Sequence, residues 1–169
     1  MYATDGSAYK EMPLAVVVPE NRADIERTIA FARENGVSVI PRGAGTSLAG
    51  QVVGSGIVID LTKHFCEIIE LNREEKWVRV QPGVILNQLN AYLEPHGLFF
   101  APEAATASRC TIGGMLGNNS CGLHSVIYGS TREHVLSVKA ILSDGSEAVF
   151  AALDSVEYEE KGKGEALEN

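Results

Sequence analysis

Pro41-Arg-Gly-Ala-Gly-Thr-Ser-Leu-Ala-Gly50 is the stretch on which the fold turns. A P-loop needs Lys and then Ser or Thr directly after GxxxxG, whereas Gly45-Thr-Ser-Leu-Ala-Gly50 runs on into Gln51-Val52. Nothing there can reach a β- or γ-phosphate. A Rossmann turn needs GxGxxG opening a helix. Three residues after Gly45 stands Leu48, and Gly50, Gly54 and Gly56 break the chain before the next strand. Both motifs fail on spacing. What remains is a strand feeding a loop whose small residues leave successive backbone N–H groups approachable. Such donors form an anion nest without a lysine, with Thr46 and Ser47 adding hydroxyls. Taken alone, the window reads equally as a tight connection with no ligand.

A second glycine window follows, Thr111-Ile-Gly-Gly-Met-Leu-Gly-Asn-Asn-Ser-Cys-Gly122. Gly113-Gly114 lets a ligand approach the backbone, and the spacing predicts a short helical turn over Met115 to Gly117 facing an anion with its N-terminus. Asn118, Asn119 and Ser120 offer amide and hydroxyl groups for a polar ring edge or phosphate, or equally a cap and turn. Asn118-Asn119-Ser120 also fits the glycosylation pattern, which without a secretory signal is a chance match. Of 17 glycines, five lie between Gly43 and Gly56 and five between Gly113 and Gly129. Two nests suit one pyrophosphate, with Arg42 and Arg109 as the charged helpers nearby.

Composition narrows the function further. The 169 residues carry 22 acids and 14 basic side chains, a formal charge of −8, with 45% apolar residues. That is a soluble globular balance, with enough chain to bury a core. The acidic sign argues against nucleic acid and against an anionic membrane surface, so local dipoles must hold any phosphate. Cys66, Cys110 and Cys121 are odd in number and lack CxxC spacing, and His64, His96, His124 and His134 lack metal-ligand spacing. A disulfide framework, a zinc site or a complete iron–sulfur site from these residues is not expected, and no metal is assigned. Leu14 to Val18 is too short for a signal core or a span. The chain is read as cytoplasmic.

The coarse element order is α+β. Strands are expected over Leu14 to Val18, Val37 to Ile40 (closed by Pro41) and Ile57 to Leu61, with a helix from Arg22 to Glu34 ended by Gly36. Glu67 to Leu71 and Trp77 to Gln81 read as a hairpin, and Leu86, Leu89 and Leu93 as a helix stopped by Pro95 and Gly97. A last hairpin pairs Ser137 to Leu142 with Glu147 to Phe150 around Ser143-Asp-Gly-Ser146. Residues 151–169 hold six acids against Lys161 and Lys163, without apolar periodicity. They read as a solvated or frayed acidic tail after a domain over 1–150.

At the two windows the sequence resembles the FAD-binding domain of the FAD-linked oxidases, the fold shared by vanillyl-alcohol oxidase and p-cresol methylhydroxylase (PCMH type), which is not Rossmann. The carrying residues are Pro41-Arg-Gly-Ala-Gly-Thr-Ser47 with Gly50-Gln51, Ile59-Asp60-Leu61, Val80-Gln-Pro-Gly83, Ala101-Pro-Glu103 and Thr111-Ile-Gly-Gly114, in the family's order. The branch it is most similar to oxidises glycolate, D-lactate and D-2-hydroxyglutarate. Gly113 to Gly122, His124-Ser125 and Tyr128-Gly-Ser-Thr131 look like members fused to an iron–sulfur segment, and Tyr2-Ala-Thr-Asp-Gly-Ser-Ala-Tyr9 fits the same branch.

The resemblance implies FAD contacts from Pro41, Arg42, Gly43, Ala44, Gly45, Thr46, Ser47, Gly50 and Gln51 around the pyrophosphate. Pro102, Glu103 and Thr106 stand where contacts to the second phosphate and ribose begin. Thr111, Gly113, Gly114, Gly117 and Asn118 lie along the pyrophosphate and flavin. Glu103-Ala104 departs from the usual Asp-Pro, and Thr46 stands where some relatives carry a flavin-linked histidine, so non-covalent FAD is expected. The family's later Glu-Gly-Thr segment and its substrate-binding cap do not follow Phe150. The expectation is thus the N-terminal FAD-binding portion of a longer dehydrogenase, inactive alone, with catalytic residues and any iron–sulfur cluster elsewhere. A D-2-hydroxy acid would give hydride to flavin N5; the electron acceptor is unassigned. His124 and His134 read as structural. A flavin-binding electron-transfer module is the alternative, and a cell-wall reductase of the same fold a third reading.

Overall fold

The structure, a computed structural model, describes residues 1–152. The expected acidic tail over 151–169 therefore falls almost wholly outside the described residues.

The apolar run after Pro13 forms β1 (Ala15–Val17), and Pro19 ends it. Helix α1 (Arg22–Glu34) begins with a reciprocal capping box. Asn21 accepts from the Asp24 amide at 3.2 Å, and the Asp24 carboxylate accepts from the Asn21 amide at 3.2 Å, which satisfies donors that a helix start leaves orphaned. Strand β2 (Val39–Arg42) follows, then β3 (Ile57–Asp60). The order is β1-β3-β2 with both pairings parallel, so the last strand in sequence becomes the central one, and all four of its residues are buried. This agrees with the continuous apolar reading of Ile57-Val-Ile, because a central parallel strand is covered on both faces.

Most strand ends fall within one residue of expectation, but β2 is displaced by two, starting at Val39 and running through Pro41 to Arg42. Proline lacks an N–H, but β2 lies at the sheet's edge. The carbonyls of Ser38 and Arg42 accept from Ile57 of the central strand and from Leu61 directly after it. With alternation, Pro41 faces outward, where no donor is needed.

Antiparallel strands β4 (Ile68–Asn72) and β5 (Trp77–Val80) form the first hairpin. Its apolar face packs on helix α2 (Leu86–Leu93), where Val84, Leu89 and Leu93 are buried against Ile68, Leu71, Val78 and Val80. The other side of α2 meets α3 (Ile112–Asn118) through Leu86, Cys110 and Met115. A short helix α4 (Ser125–Tyr128) and a 3-10 turn over Thr131–His134 lead to the final hairpin, β6 (Ser137–Ile141) and β7 (Glu147–Ala151). That hairpin is tied back to α1 by the Arg22–Glu147 ion pair and by Arg33 donating to the Asp144 carbonyl at 2.9 Å. The architecture is α+β: a small parallel sheet with its helix, plus two antiparallel hairpins.

Candidate functional site

One turn fixes the start of the second glycine window. Gly83 sits where a Cβ would come within 2.6 Å of the Phe65 carbonyl, and its amide donates to that oxygen at 2.7 Å. This fixes Pro82, against which Gly113 packs: a Cβ on Gly113 would lie 2.6 Å from the Pro82 Cβ, and its amide donates to the Pro82 carbonyl at 2.9 Å. The Gln81-Pro-Gly83 turn thus sets where the second window begins.

The first window is irregular from Gly43 to Gly50, and Gly45 adopts φ +65°. Side chains rarely accept that conformation. A Cβ there would also overlap the Arg42 guanidinium, which is folded beneath the loop. Arg42 is 6% exposed, donates to the carbonyl of Thr4 at 2.9 Å and Val52 at 3.4 Å, and lies over the Tyr2 ring. Its guanidinium supports the loop from within rather than projecting toward a ligand. Beside it Asp60 accepts from Tyr2 Oη at 2.7 Å, the Thr62 amide at 2.8 Å and the Thr62 hydroxyl at 2.6 Å. Burial alone would raise this carboxyl, but the Thr62 and Tyr2 hydrogen bonds and the Arg42 charge outweigh it and hold Asp60 below its ordinary value. The same bond to Asp60 raises the Tyr2 phenol.

The second window is more regular than expected. The helix starts at Ile112 rather than Met115, because Thr111, 2% exposed, caps it with its hydroxyl accepting from the Gly114 amide at 3.2 Å. Gly113, Gly114 and Gly117 are therefore helix residues, and none has a positive φ. Asn119 ends the helix at φ +46°, and its side chain accepts from the Arg132 amide at 3.0 Å, while Ser120 gives its carbonyl to the Thr131 hydroxyl at 2.7 Å. The cap-and-turn reading of Asn-Asn-Ser describes Asn119 and Ser120. Asn118 does something else.

The windows meet at two points. Gly43 lies so close to Thr111 that a Cβ would overlap its hydroxyl. Gln51 donates to the Asn118 side-chain oxygen at 2.9 Å across 67 residues. Gly43, Gln51, Thr111 and Asn118 thus join the two windows into one candidate cradle, in which Gly43 is required for the close approach to the buried Thr111. Ala44, Thr46 and Gly50 lie in the same loop, and Pro102 is fully buried beneath Glu103. Among the described residues a recess between β1 and α1, lined by Val17, Thr28, Phe31 and Ile57, stands apart from this cradle and brings no polar groups of the two windows together.

Other residues take different partners. The Glu103 carboxylate faces His124, at 2.6 Å from Nδ1 and 3.3 Å from the backbone N, and this pairing lowers its pKa. A Cβ on Gly122 would lie 2.6 Å from the Glu103 Cβ. Glu103 therefore ties residues 122–124 down. The Thr106 carbonyl accepts from Arg109 at 2.7 Å and Cys110 at 2.8 Å, a turn that leaves the Arg109 side chain exposed. His134 Nε2 meets the Tyr128 carbonyl at 2.6 Å. The three cysteines are free, burial raises the Cys110 thiol, and the described residues contain no group of three His, Cys, Asp or Glu able to hold a metal ion.

Sequence reasoning on chemistry passed over Asp5 and undervalued Asp60. Asp60 had a usable signal: a carboxylate closing the buried run Ile57-Val-Ile requires partners. Asp5 had none beyond its place in Tyr2 to Tyr9.

Residues 13–150 match the family described as FAD binding domain. The chain is 44% identical over 158 residues to a D-2-hydroxyglutarate dehydrogenase of Haemophilus influenzae, covering 92% of this chain and 15% of that protein. It is 47% identical over 146 residues to the Escherichia coli K12 protein of the same name, covering 85% of this chain and 14% of that one. Against the glycolate oxidase subunit GlcD of Bacillus subtilis it is 36% identical, covering 86% of this chain and 31% of the subunit. A solved structure of alkyldihydroxyacetonephosphate synthase superposes with a TM-score of 0.70 at 22% identity, covering 86% of this chain and 26% of that one, which shows a shared fold. The chain spans about a seventh of the length of the two dehydrogenases. No helix among the described residues is long and apolar enough to cross a membrane.

Proposed function

This chain belongs to the FAD binding domain family, and from that premise we propose that it is the cofactor-binding part, over 1–150, of a dehydrogenase that oxidises a D-2-hydroxy acid. The observation that carries the proposal is the pair of D-2-hydroxyglutarate dehydrogenases at 44% and 47% identity, which are matched across both glycine windows.

The residues present fit FAD. Backbone donors of Gly43 to Ser47, with Gly50 and Gln51, would take the pyrophosphate, and Gly117 and Asn118 on the open side of α3 would lie along the cofactor. Thr111, Gly113 and Gly114 would shape the site rather than donate to it, because the amides of Ile112, Gly113 and Gly114 are already bonded to Val84, Pro82 and Thr111. The Gly43–Thr111 contact and the Gln51–Asn118 bond support treating both windows as one cradle. Arg42 and Glu103 act as framework in this reading, through their bonds to Thr4 and His124. Thr46 has no nucleophilic ring nitrogen for a flavin link, so the cofactor is held non-covalently. When bound, FAD supplies a hydride acceptor at N5, while the protein's part is to bind and orient it.

His124 and His134 are each bonded within the fold, which supports a substrate base, carboxylate clamp and cap domain lying beyond residues 1–152. Three dispersed free thiols support a cytoplasmic setting. We leave the electron acceptor open.

Titrating the purified chain with FAD while recording visible absorbance tests the cradle. A shifted, better-resolved flavin band is expected, with all flavin released into the supernatant on acid precipitation; an unchanged spectrum at excess FAD would overturn the assignment. In the native protein, anaerobic D-2-hydroxyglutarate should bleach the flavin, with glycolate and D-lactate as comparisons. Bleaching by L-enantiomers alone would refute the substrate class.

A further inference from the structure

The opening residues precede the matched span of 13–150, yet they pack along the first glycine loop. The Glu11 amide donates to the Ala3 carbonyl at 2.9 Å and Thr4 bridges Lys10, closing the segment on itself. Tyr2 reaches Asp60, and the Thr4 carbonyl accepts from Arg42. Gly6 is pressed on the loop backbone, since a Cβ there would lie 2.9 Å from the Ser47 carbonyl and 3.2 Å from that of Thr46. The Tyr9 ring covers Gly50, where a Cβ would stand 2.8 Å from its Cδ2. Among these anchors the Asp5 carboxylate accepts from the Ser47 hydroxyl and, at 2.8 Å, from the Ser7 amide.

We propose that residues 2–11 form a clip in which Asp5 is a positioning residue for the cofactor: its carboxylate fixes Ser47, and with it the 43–52 loop, in the shape that receives a pyrophosphate. The proposal rests on the reading above that this loop takes the FAD pyrophosphate. A glycine-rich loop without regular structure loses much backbone freedom when a ligand orders it. A loop already held in place avoids that loss at binding. Ser47 is tied at its hydroxyl, which leaves its backbone N–H and those of its neighbours as the anion donors.

An opposing effect must be weighed, because a carboxylate beside a phosphate site repels it. The charged groups facing this place are Asp5, Asp60 and Arg42, and the buried Arg42 guanidinium offsets part of the negative charge. The Debye length at physiological salt is about 8 Å, so a phosphate on the Ser47 backbone would feel part of the Asp5 charge. A charge-assisted bond changes an equilibrium about ten- to a hundredfold. Ordering is expected to outweigh repulsion, and the FAD titration below reads that balance. Burial would raise the Asp5 carboxyl, but bonds from Ser47, Ser7 and Val52 together hold it below its ordinary value, which keeps it an ionised acceptor at neutral pH.

Amide hydrogen exchange on the FAD-free chain, paired with FAD titration, tests this. Asp5→Ala should speed exchange across 43–52 about tenfold or more while α1 and the β4–β5 hairpin exchange as before. The same variant should weaken FAD binding by a similar factor. Asp5→Asn keeps an acceptor for Ser47 and should fall between Asp5→Ala and wild type in both readouts. Should Asp5→Ala fail to fold, Gly6→Ala lifts the clip off the Ser47 carbonyl without touching Asp5 and should give the same local speeding. Unchanged exchange at 43–52 overturns the clip whatever FAD does. Faster exchange with equal or tighter FAD binding overturns the positioning role. If exchange responds but the wild-type chain ignores FAD, the pyrophosphate assignment itself fails, and the cofactor half of this proposal falls with it.

Discussion

The two glycine windows are equally rich in glycine but use it differently. In the first, Gly45 occupies a left-handed backbone over a buried guanidinium, and the loop is held by tertiary contacts from Arg42 and residues 2–11. In the second, only Gly129 is left-handed, while Gly113, Gly114 and Gly117 stand inside an ordinary capped helix, where glycine lowers stability relative to alanine. Gly113 is explained by its packing on Pro82, but Gly117 has open space at its Cβ position. The comparison teaches that glycines the fold itself requires, such as Gly45 and Gly113, meet strain or protein atoms, whereas Gly117 meets nothing within 4 Å and no contact of the fold explains it.

Gly45→Val should break the first window most severely. A β-branched side chain in that backbone, overlapping Arg42, costs about 4 kcal/mol, read as a large drop in the urea midpoint together with loss of flavin retention. A variant that stayed folded and yellow would remove the distinction between the windows. Asp60→Asn should cost about 2 kcal/mol at pH 7, because a buried carboxylate with three donors is lost. Its pH dependence has a fixed sign. The folded carboxyl lies below its ordinary value, so its contribution is full above about pH 4 and is lost as pH falls through the folded value. Urea midpoints from pH 6 to pH 3 should therefore fall more steeply in wild type than in Asp60→Asn, and parallel curves would count against an ionised Asp60.

On the second window the effects are smaller. Thr111→Ala removes the cap of α3 and should cost about 1 kcal/mol, with exchange rising first at the Gly114 amide. Gly117→Ala should stabilise the chain by about 0.5–1 kcal/mol, measured as a higher Tm. If FAD affinity falls while Tm rises, the open side of α3 is ligand-facing; if both rise, Gly117 serves no cofactor.

What the sequence disclosed depended on how local the cause was. Helix α1 was legible to its last residue because the spacing of Ile25, Ile29 and Ala32 and the stop at Gly36 are local signals. The central position of β3 was legible only as burial, since strand order is set by pairings across the chain. Pro41 misled at the end of β2, because proline stops a strand only where its nitrogen must donate. The helix at Ile112 was longer than the turn expected over Met115 to Gly117, because Thr111 caps it and Gly113-Gly114 are taken into the helix rather than left as open backbone. Glu103 and Arg42 were expected to contact the cofactor, yet the direction of their side chains is decided by His124 and Thr4, residues 21 and 38 positions away. No window of sequence contains both partners.

Pro41 has one more consequence, for association rather than binding. A parallel sheet of three strands exposes two rims, and each is a template on which a foreign strand can dock. At the β2 rim the outward-facing position lacks an N–H, so an incoming strand would find a gap in its ladder there. The β1 rim, Ala15–Val17, has no such interruption, and Leu14, Val16 and Val18 around it are exposed. Any sheet-mediated self-association of this chain should therefore be one-sided, growing from β1 and stopping at β2.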